Sequence, residues 1–144
     1  MNVQSILAAK GSAVATIDAS SSLAQATASL RDHGVGALVV SSGGGTIEGI
    51  LSERDVVRAL AAHGGGTLGR TVSSAMSTDV VTCSCGDGVD QLMSLMTERR
   101  IRHLPVVDDH GHLAGIISIG DVVKARIEQV EREADEMRAY IAAV

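Results

Sequence analysis

The chain has 144 residues, with 12 Lys and Arg against 17 Asp and Glu, which gives a formal net charge of −5 at pH 7. This mild acidity argues against a general nucleic-acid binder, which usually has a basic surface. Hydrophobic residues at 45% and charged residues at 20% are typical of a soluble globular protein. No apolar run approaches the ~18 residues of a membrane span, and residues 1–9 lack the pattern of a secretory signal. We therefore expect a cytoplasmic protein that binds neither nucleic acid nor membrane.

The first half of the chain predicts one β-α-β-β-α unit. Apolar residues recur at the helical spacing i, i+3, i+4, i+7 from Leu23 to Leu30, with Ser22 as a plausible N-cap and Gly34 as a stop. Short β-rich runs joined by a glycine-rich turn follow this helix. The predicted elements are, in order, an extended segment at 14–17, this helix, strands at 37–41 and 47–51, and a helix that starts at Ser52.

The second half repeats the first. The run Gly49-Ile50-Leu51-Ser52-Glu53-Arg54-Asp55-Val56-Val57 returns 66 residues later as Gly115-Ile116-Ile117-Ser118-Ile119-Gly120-Asp121-Val122-Val123. At the same offset the second unit has an extended segment at 80–83, a helix with Val89, Leu92, Met93 and Met96 on one face, strands at 103–107 and 113–117, and a helix from Ser118. Residues 3–7 align with 72–76 at an offset of 69. Two copies of one supersecondary unit therefore make up nearly the whole chain.

The predicted fold is α/β (α+β), with two β-α-β-β-α repeats packed against each other and a C-terminal helical extension. A unit of about 65 residues is marginal on its own, so the two units should bury their sheets together. The expected boundaries are 1–66 for the first repeat with an N-terminal linker, 67–128 for the second repeat and 129–144 for the extension. We expect Gly64-Gly65-Gly66 to be a flexible linker between the repeats.

Each half carries a Ser-x-x-Asp turn where a strand leads into a helix. The simpler interpretation is a helix cap, in which Ser accepts a first-turn N–H and the carboxylate neutralises the positive helix end. The alternative is a nucleotide site. A helix N-terminus with a Ser hydroxyl suits a phosphate, and a carboxylate can accept both hydroxyls of a ribose.

The doubled Gly-h-h-Ser-x-x-Asp pattern (h, hydrophobic), with Arg100-Ile101-Arg102-His103-Leu104-Pro105-Val106-Val107 before the second hairpin, resembles a tandem pair of CBS domains (a Bateman module). The resemblance covers about residues 3–128. It implies packing about a pseudo-twofold axis and a non-catalytic regulatory role in signal transduction. It also implies adenosine-containing ligands (AMP, ADP or ATP, with NAD or S-adenosylmethionine as further candidates) in clefts between the repeats, and a regulated protein partner of unknown identity.

The resemblance also implies which residues line each cleft, because each cleft combines the Ser and Asp of one repeat with strand residues of the other. For the cleft of Asp121 the expected residues are Ser118, Gly120 and Asp121 with Thr16, Asp18, Val35, Gly36 and Ala37. For the cleft of Asp55 they are Ser52, Arg54 and Asp55 with Thr82, Ser84, Ile101, Arg102 and His103. We expect tighter nucleoside binding at Asp121, because Gly36 and Ala37 are small where their counterparts Arg102 and His103 are large.

Two alternatives to a nucleotide sensor remain open. An enzyme would need a nucleophile or base held near an orienting group, and the candidates Cys83, Cys85 and His103 show no such pairing. We expect Cys83 and Cys85 to be reduced, inert thiols, and we expect no catalytic cofactor and no metal site. The second alternative is a structural or interaction module whose clefts stay empty.

The last helix continues beyond the repeat. Six small or apolar residues follow the 4, 3, 4, 3, 4 spacing of a coiled coil, but over less than three heptads. They are Val123, Ile127, Val130, Ala134, Met137 and Ile141. This stripe can pack on its own module or on a second subunit. The resemblance implies a homodimer, because Bateman modules commonly pair into disc-like dimers.

Overall fold

The computed structural model describes residues 1–43 and 45–143, and each half of this chain forms a three-stranded sheet. In the first half, β1 (Thr16–Ile17) pairs in parallel with β2 (Ala37–Val40), and β2 pairs antiparallel with β3 (Gly49–Ser52). In the second half, β4 (Cys83–Ser84), β5 (His103–Val107) and β6 (Leu113–Ser118) are arranged in the same way. The registers also correspond, since Ile17 faces Val40 and Cys83 faces Val106.

The long helices lie where the periodicity predicts them. They are α2 (Leu23–His33), α3 (Glu53–His63), α5 (Val89–Arg99) and α6 (Ile119–Ala143). Ser22 caps α2 in a capping box with Gln25, and Gly34 ends the helix in the left-handed conformation at φ 63°. The predicted mixed fold of two β-α-β-β-α repeats with a helical extension is confirmed. The first strands of both repeats are shorter than predicted, because only two residues of each pair with a neighbour.

Two short helices each complete the core of one half. Helix α1 (Val3–Lys10) places Val3 and Ile6 in the core of the second half. Helix α4 (Val72–Ala75), its counterpart at the 69-residue offset, places Val72 in the core of the first half. The N-terminal segment therefore packs on the repeat that is more distant in sequence.

The glycine that opens each repeated motif makes room for one of these segments. A Cβ on Gly49 would lie 2.8 Å from Met76 Sδ and from the Ser77 carbonyl oxygen. A Cβ on Gly115 would lie 2.8 Å from Leu7 Cδ2. The recurring glycine thus permits close packing against the sheet at equivalent places in the two halves.

The prediction of a flexible linker at Gly64-Gly65-Gly66 is wrong, because these residues begin a 3₁₀ helix over Gly64–Gly69. Thr67 is fully buried, and its hydroxyl lies 2.7 Å from the carbonyl oxygen of Gly64 and 3.1 Å from that of Ala59. This side chain fixes the turn against the end of α3. Across residues 1–43 and 45–143, no helix combines the length and hydropathy that spanning a bilayer demands.

Candidate functional site

Both Ser-x-x-Asp turns form complete capping arrangements. In the first, the N–H of Asp55 donates to Ser52 Oγ at 3.3 Å, and the N–H of Ser52 donates to Asp55 Oδ2 at 2.9 Å. In the second, the corresponding distances between Ser118 and Asp121 are 3.2 and 2.9 Å. The simpler interpretation from the sequence, a helix cap, is therefore present at both turns. Each cap uses the same carboxylate oxygen, Oδ2.

The cap at Asp55 leaves polar groups available for a ligand. The first helical N–H, from Glu53, donates to the Gly36 carbonyl oxygen at 3.0 Å, and the third is used by Ser52. The second N–H, from Arg54, has no hydrogen-bond partner among residues 1–43 and 45–143. Asp55 Oδ1 lies 4.0 Å from the Arg58 guanidinium, beyond hydrogen-bond distance. One amide and one carboxylate oxygen can thus meet a phosphate and a sugar.

Asp55 lies at a cleft between the two halves. Its cavity measures about 180 Å³ and is lined by residues from both repeats. The first repeat supplies Gly36, Ile50 and residues of the Ser52–Asp55 turn, and the second supplies Ile101, Arg102, His103 and Pro105. Six of the eight residues expected for this cleft line it together: Ser52, Arg54, Asp55, Ile101, Arg102 and His103. The volume is below the roughly 300–1,000 Å³ of typical ligand pockets, so a nucleotide would remain partly exposed or displace side chains.

His103 of the second repeat lies close to Gly36 of the first across this cleft. A Cβ on Gly36 would lie 3.2 Å from the His103 atoms Cε1 and Nε2, so only glycine leaves the ring undisturbed. Burial and then the charge of Arg102 lower the pKa of His103, which keeps its imidazole neutral at pH 7. Gly36, expected in the Asp121 cleft, instead lines the Asp55 cleft, because it lies beside the start of α3.

Positive side chains surround the Asp55 cleft. Its lining contains four arginines, Arg54, Arg58, Arg100 and Arg102, against the three carboxylates of Glu53, Asp55 and Asp79. Arg100 holds a left-handed backbone with φ 55°, the one positive φ outside glycine within 1–43 and 45–143. Its counterpart 66 residues earlier is Gly34, at φ 63°. The second repeat therefore places an arginine at the cleft where the backbone conformation favours glycine.

Asp121 has a different environment, because Lys10 reaches it from α1. The Lys10 ammonium donates to Asp121 Oδ2 at 2.7 Å and to the Ile116 carbonyl oxygen at 3.0 Å. Burial raises the pKa of Asp121, but the hydrogen bonds from Lys10 and Ser118 outweigh burial and leave this pKa below its usual value. This ion pair weighs against the expectation of tighter nucleoside binding at Asp121, since a cation of the chain already offsets the charge of the carboxylate at Oδ2.

The other residues expected around Asp121 are dispersed. The cavity that Asp121 lines is formed with α1 and the start of α6, and none of Thr16, Asp18, Val35, Gly36 and Ala37 lines it. Asp18 instead accepts from the N–H and hydroxyl of Ser20 at 2.9 and 2.8 Å, and Ala37 is buried opposite Ser52 in the sheet. Val35 packs on the core of the first half, and Thr16 is exposed on β1.

Two residues expected at the Asp55 cleft lie outside its lining, and others replace them. Thr82 and Ser84 are exposed, and the N–H of Ser84 donates to Asp87 Oδ2 at 2.9 Å. The segment just before them enters the lining, through Ser77, Asp79, Val80 and Val81. No pattern in the sequence predicts this shift. Arg58 could have been found, since it lies one helical turn after Asp55 on the same face.

The cysteines are free and lie outside the cleft lining. Burial raises the pKa of the Cys83 thiol to about 12, so the thiol stays protonated at neutral pH. Within residues 1–43 and 45–143, no cluster of three His, Cys, Asp or Glu side chains is placed to hold a metal ion.

Comparison with known proteins places these features in a family. The family model "CBS domain" matches residues 11–62 and 72–128. A solved CBS-domain protein, ATU1752 from Agrobacterium tumefaciens, is 46% identical with a TM-score of 0.84, over 88% of this chain and 99% of that one. The mitochondrial CBS domain-containing protein CBSX3 of Arabidopsis thaliana is 38% identical over 120 residues. That match takes in 81% of this chain but only 58% of the plant protein.

A third relative has been solved with ligands. The CBS domain pair of protein MJ0100, in complex with 5′-methylthioadenosine and S-adenosyl-L-methionine, is 25% identical with a TM-score of 0.79. The match covers 90% of this chain and 98% of that one. Each of the two segments that the family model matches contains one three-stranded sheet and one Ser-x-x-Asp capping turn. The chain belongs to the CBS-domain family and contains a tandem pair of CBS domains.

Proposed function

We propose that this chain is a non-catalytic regulatory module that binds one phosphate-bearing adenosine ligand in the Asp55 cleft. The observation that carries the proposal is the convergence of a Ser-x-x-Asp turn from one repeat and an arginine-rich strand segment from the other on one cavity. AMP, ADP and ATP are the preferred candidates, and NAD shares the same adenosine and phosphate groups. The ligand acts as a signal through its differential affinity for two conformations of the module.

Each part of the ligand has a complement in the cleft. The free N–H of Arg54 would bind a phosphate at the positive end of α3, and the Ser52 hydroxyl, which donates to Asp55 Oδ2 at 3.1 Å in the free protein, would turn to donate to it. Asp55 Oδ1 would accept the ribose hydroxyls while Oδ2 stays in the cap. Ile50, Ile101 and apolar residues beside them would contact the base.

The arginines favour a phosphate over a neutral or cationic ligand. The cleft lining has four guanidinium groups against three carboxylates, and the neighbouring His103 is neutral. Hydrogen bonds from a guanidinium to phosphate are charge-assisted and about twice as strong as neutral ones. S-adenosylmethionine carries a positive sulfonium and methylthioadenosine carries no phosphate. We therefore expect AMP to bind more tightly than either ligand of MJ0100.

The Lys10 ion pair supports a single strong site per chain. A ligand ribose at Asp121 would meet a carboxylate whose charge is already offset by an ammonium 2.7 Å from Oδ2, whereas the nearest guanidinium to Asp55 lies at 4.0 Å. We therefore expect tighter binding at Asp55 than at Asp121, which is the reverse of the expectation from side-chain size.

A second candidate function is an interaction module whose clefts stay empty. The observation that favours it is that both carboxylates close capping boxes, so both turns have a purely structural role available. In either case the proposal includes a homodimer and a regulated protein that reads the module.

The two turns provide a matched experiment. In Asp55→Asn and Asp121→Asn the amide oxygen can keep the cap, while the amide nitrogen replaces the free acceptor Oδ1. Without ligand, Asp121→Asn should lower Tm more than Asp55→Asn, because it also removes the carboxylate charge that pairs with Lys10. With AMP at 100 times its Kd, the wild type and Asp121→Asn should gain about 2.7 kcal/mol, or roughly 5–11 °C in Tm. Asp55→Asn should lose most of this gain.

The same thermal-melt screen covers ADP, ATP, NAD, S-adenosylmethionine and methylthioadenosine. A wild type whose Tm is unchanged by every ligand favours the empty interaction module. A ligand gain that survives in Asp55→Asn and disappears in Asp121→Asn would move the site to the other cleft.

A further inference from the structure

Helix α6 carries an apolar stripe that its own module leaves uncovered. We call it the α6 stripe, and its members are Val123, Ile127, Val130, Ala134, Met137 and Ile141. Its large side chains are 41–67% exposed, from Val123 at 41% to Ile141 at 67%. Leaving such side chains in water forgoes the hydrophobic stabilisation that a partner would supply by burying them.

The α6 stripe is distinct from the face that packs on the module. Val122 and Ala125 are buried in the core of the second half, and Arg126 pairs with Asp90 of α5 at 3.2 Å. At about 100° per residue, the centre of the stripe lies roughly a third of a turn from this packed face. A partner can therefore cover the stripe without displacing α6 from its module.

The spacing of the stripe specifies the form of the partner. Steps of 4, 3, 4, 3 and 4 residues are those of the a and d positions of a two-stranded coiled coil, from Val123 to Ile141. This heptad register places Arg126 and Glu133 at g positions, and Glu131 and Arg138 at e positions. In a parallel pair each g residue meets the e residue five positions later on the partner helix. Glu133 then faces Arg138 of the second copy, and Arg126, which also pairs with Asp90 of its own module, faces Glu131, so both flanking contacts join opposite charges.

An antiparallel pair that uses the whole stripe has the opposite electrostatics. That arrangement brings Glu131 beside Glu131 of the second copy, Glu133 beside Glu133, and Lys124 beside Arg138. All three contacts join like charges, which destabilise a helix pair. We infer that α6 pairs in parallel and in register with α6 of a second copy of this chain. This inference deepens the homodimer part of the proposed function and rests on that part alone.

A first experiment tests whether the stripe is the interface. Sedimentation equilibrium should give a dimer mass for the full chain. Val130→Glu, at an exposed core position of the stripe, should weaken dimerisation at least tenfold. Arg132→Glu, on the opposite face, should leave it unchanged and controls for the added charge. A monomeric wild type overturns the inference. A Val130→Glu dimer as tight as that of the wild type also overturns it, and shows that the homodimer forms through another surface.

A charge exchange tests the polarity. Glu133→Lys and Arg138→Glu each reverse two symmetry-related pairs in the parallel dimer, so each should weaken it roughly 4- to 30-fold at low salt. The double variant should restore the wild-type affinity. In the full antiparallel pair, Arg138→Glu alone would strengthen the dimer, because residue 138 would then face Lys124 with an opposite charge. Strengthening by this variant, or failure of the double variant to recover, overturns the parallel arrangement.

Discussion

Arg100 combines an unfavourable backbone conformation with a place at the Asp55 cleft. It ends α5 at φ 55° and ψ 42°, where its counterpart Gly34 ends α2 at φ 63° and ψ 37°. A non-glycine residue in this region costs roughly 1–2 kcal/mol. We predict that Arg100→Gly stabilises the free protein and weakens ligand binding. The two effects have opposite signs because the strained backbone lowers stability while the guanidinium adds positive charge to the cleft.

The magnitude follows from two opposing terms. Relief of the left-handed conformation contributes about 1–2 kcal/mol, and the greater freedom of glycine in the unfolded chain removes about 0.4–1 kcal/mol. The mid-values of the two ranges give a net gain of about 0.8 kcal/mol, or roughly 2–3 °C in Tm for a chain of this size. Removal of one arginine from the cleft should lower the affinity for AMP roughly tenfold, which corresponds to about 1.4 kcal/mol.

Thermal melts without ligand and titrations with AMP measure the two effects on the same samples. Gly34→Arg is the matched control. It places an arginine in the same left-handed backbone conformation at the end of α2, which lies outside the Asp55 cleft. No atom lies within 4 Å of the added Cβ there, so the side chain has room. It should lower Tm by a similar amount and leave AMP affinity unchanged. A lower Tm in Arg100→Gly, or unchanged AMP affinity, would refute the reasoning.

Three further predictions concern stability and reactivity. Lys10→Met should lower the free energy of unfolding by about 1–2 kcal/mol at pH 7. Because the pKa of Asp121 is lowered in the folded wild type, the difference in stability between the two proteins should shrink as pH falls below about 4. Urea titrations at several pH values measure this difference. Gly49→Ala should lower the free energy of unfolding by about 1–3 kcal/mol, and by more than Gly115→Ala does. An added Cβ meets the Ser77 backbone carbonyl at the first site but only the end of the Leu7 side chain at the second. Paired denaturation curves compare the two variants. The Cys83 thiol, with its pKa raised to about 12, should resist a thiol reagent at pH 8 until the protein is unfolded, and rapid labelling in the native state would contradict this.

The local features of the fold could be predicted from the sequence because they depend on residues close in the chain. The 66-residue offset predicts the matching strand registers, and the polar residues before each helix predict the caps at Ser22 and Ser52. The Gly64–Gly69 helix could not be predicted from composition, since glycine-rich sequence is typical of linkers. It forms because the Thr67 hydroxyl is buried against the carbonyl groups of the preceding turns.

The inequality of the two clefts depends on long-range packing. The alignment of residues 3–7 with 72–76 predicts equivalent segments but does not say which half each one covers. The pairing of Lys10 with Asp121, 111 residues later, follows only when α1 lies on the second half. The Lys10 ion pair weighs against the preference for Asp121 that side-chain size predicts, and Lys10 lies outside the repeated motif.

The number of AMP molecules bound per chain tests the central claim most directly. Calorimetric titration of the wild type should give one site per chain, retained in Asp121→Asn and lost in Asp55→Asn. Two equal sites, or binding lost in Asp121→Asn but retained in Asp55→Asn, would contradict the account. So would the absence of any heat of binding at millimolar AMP.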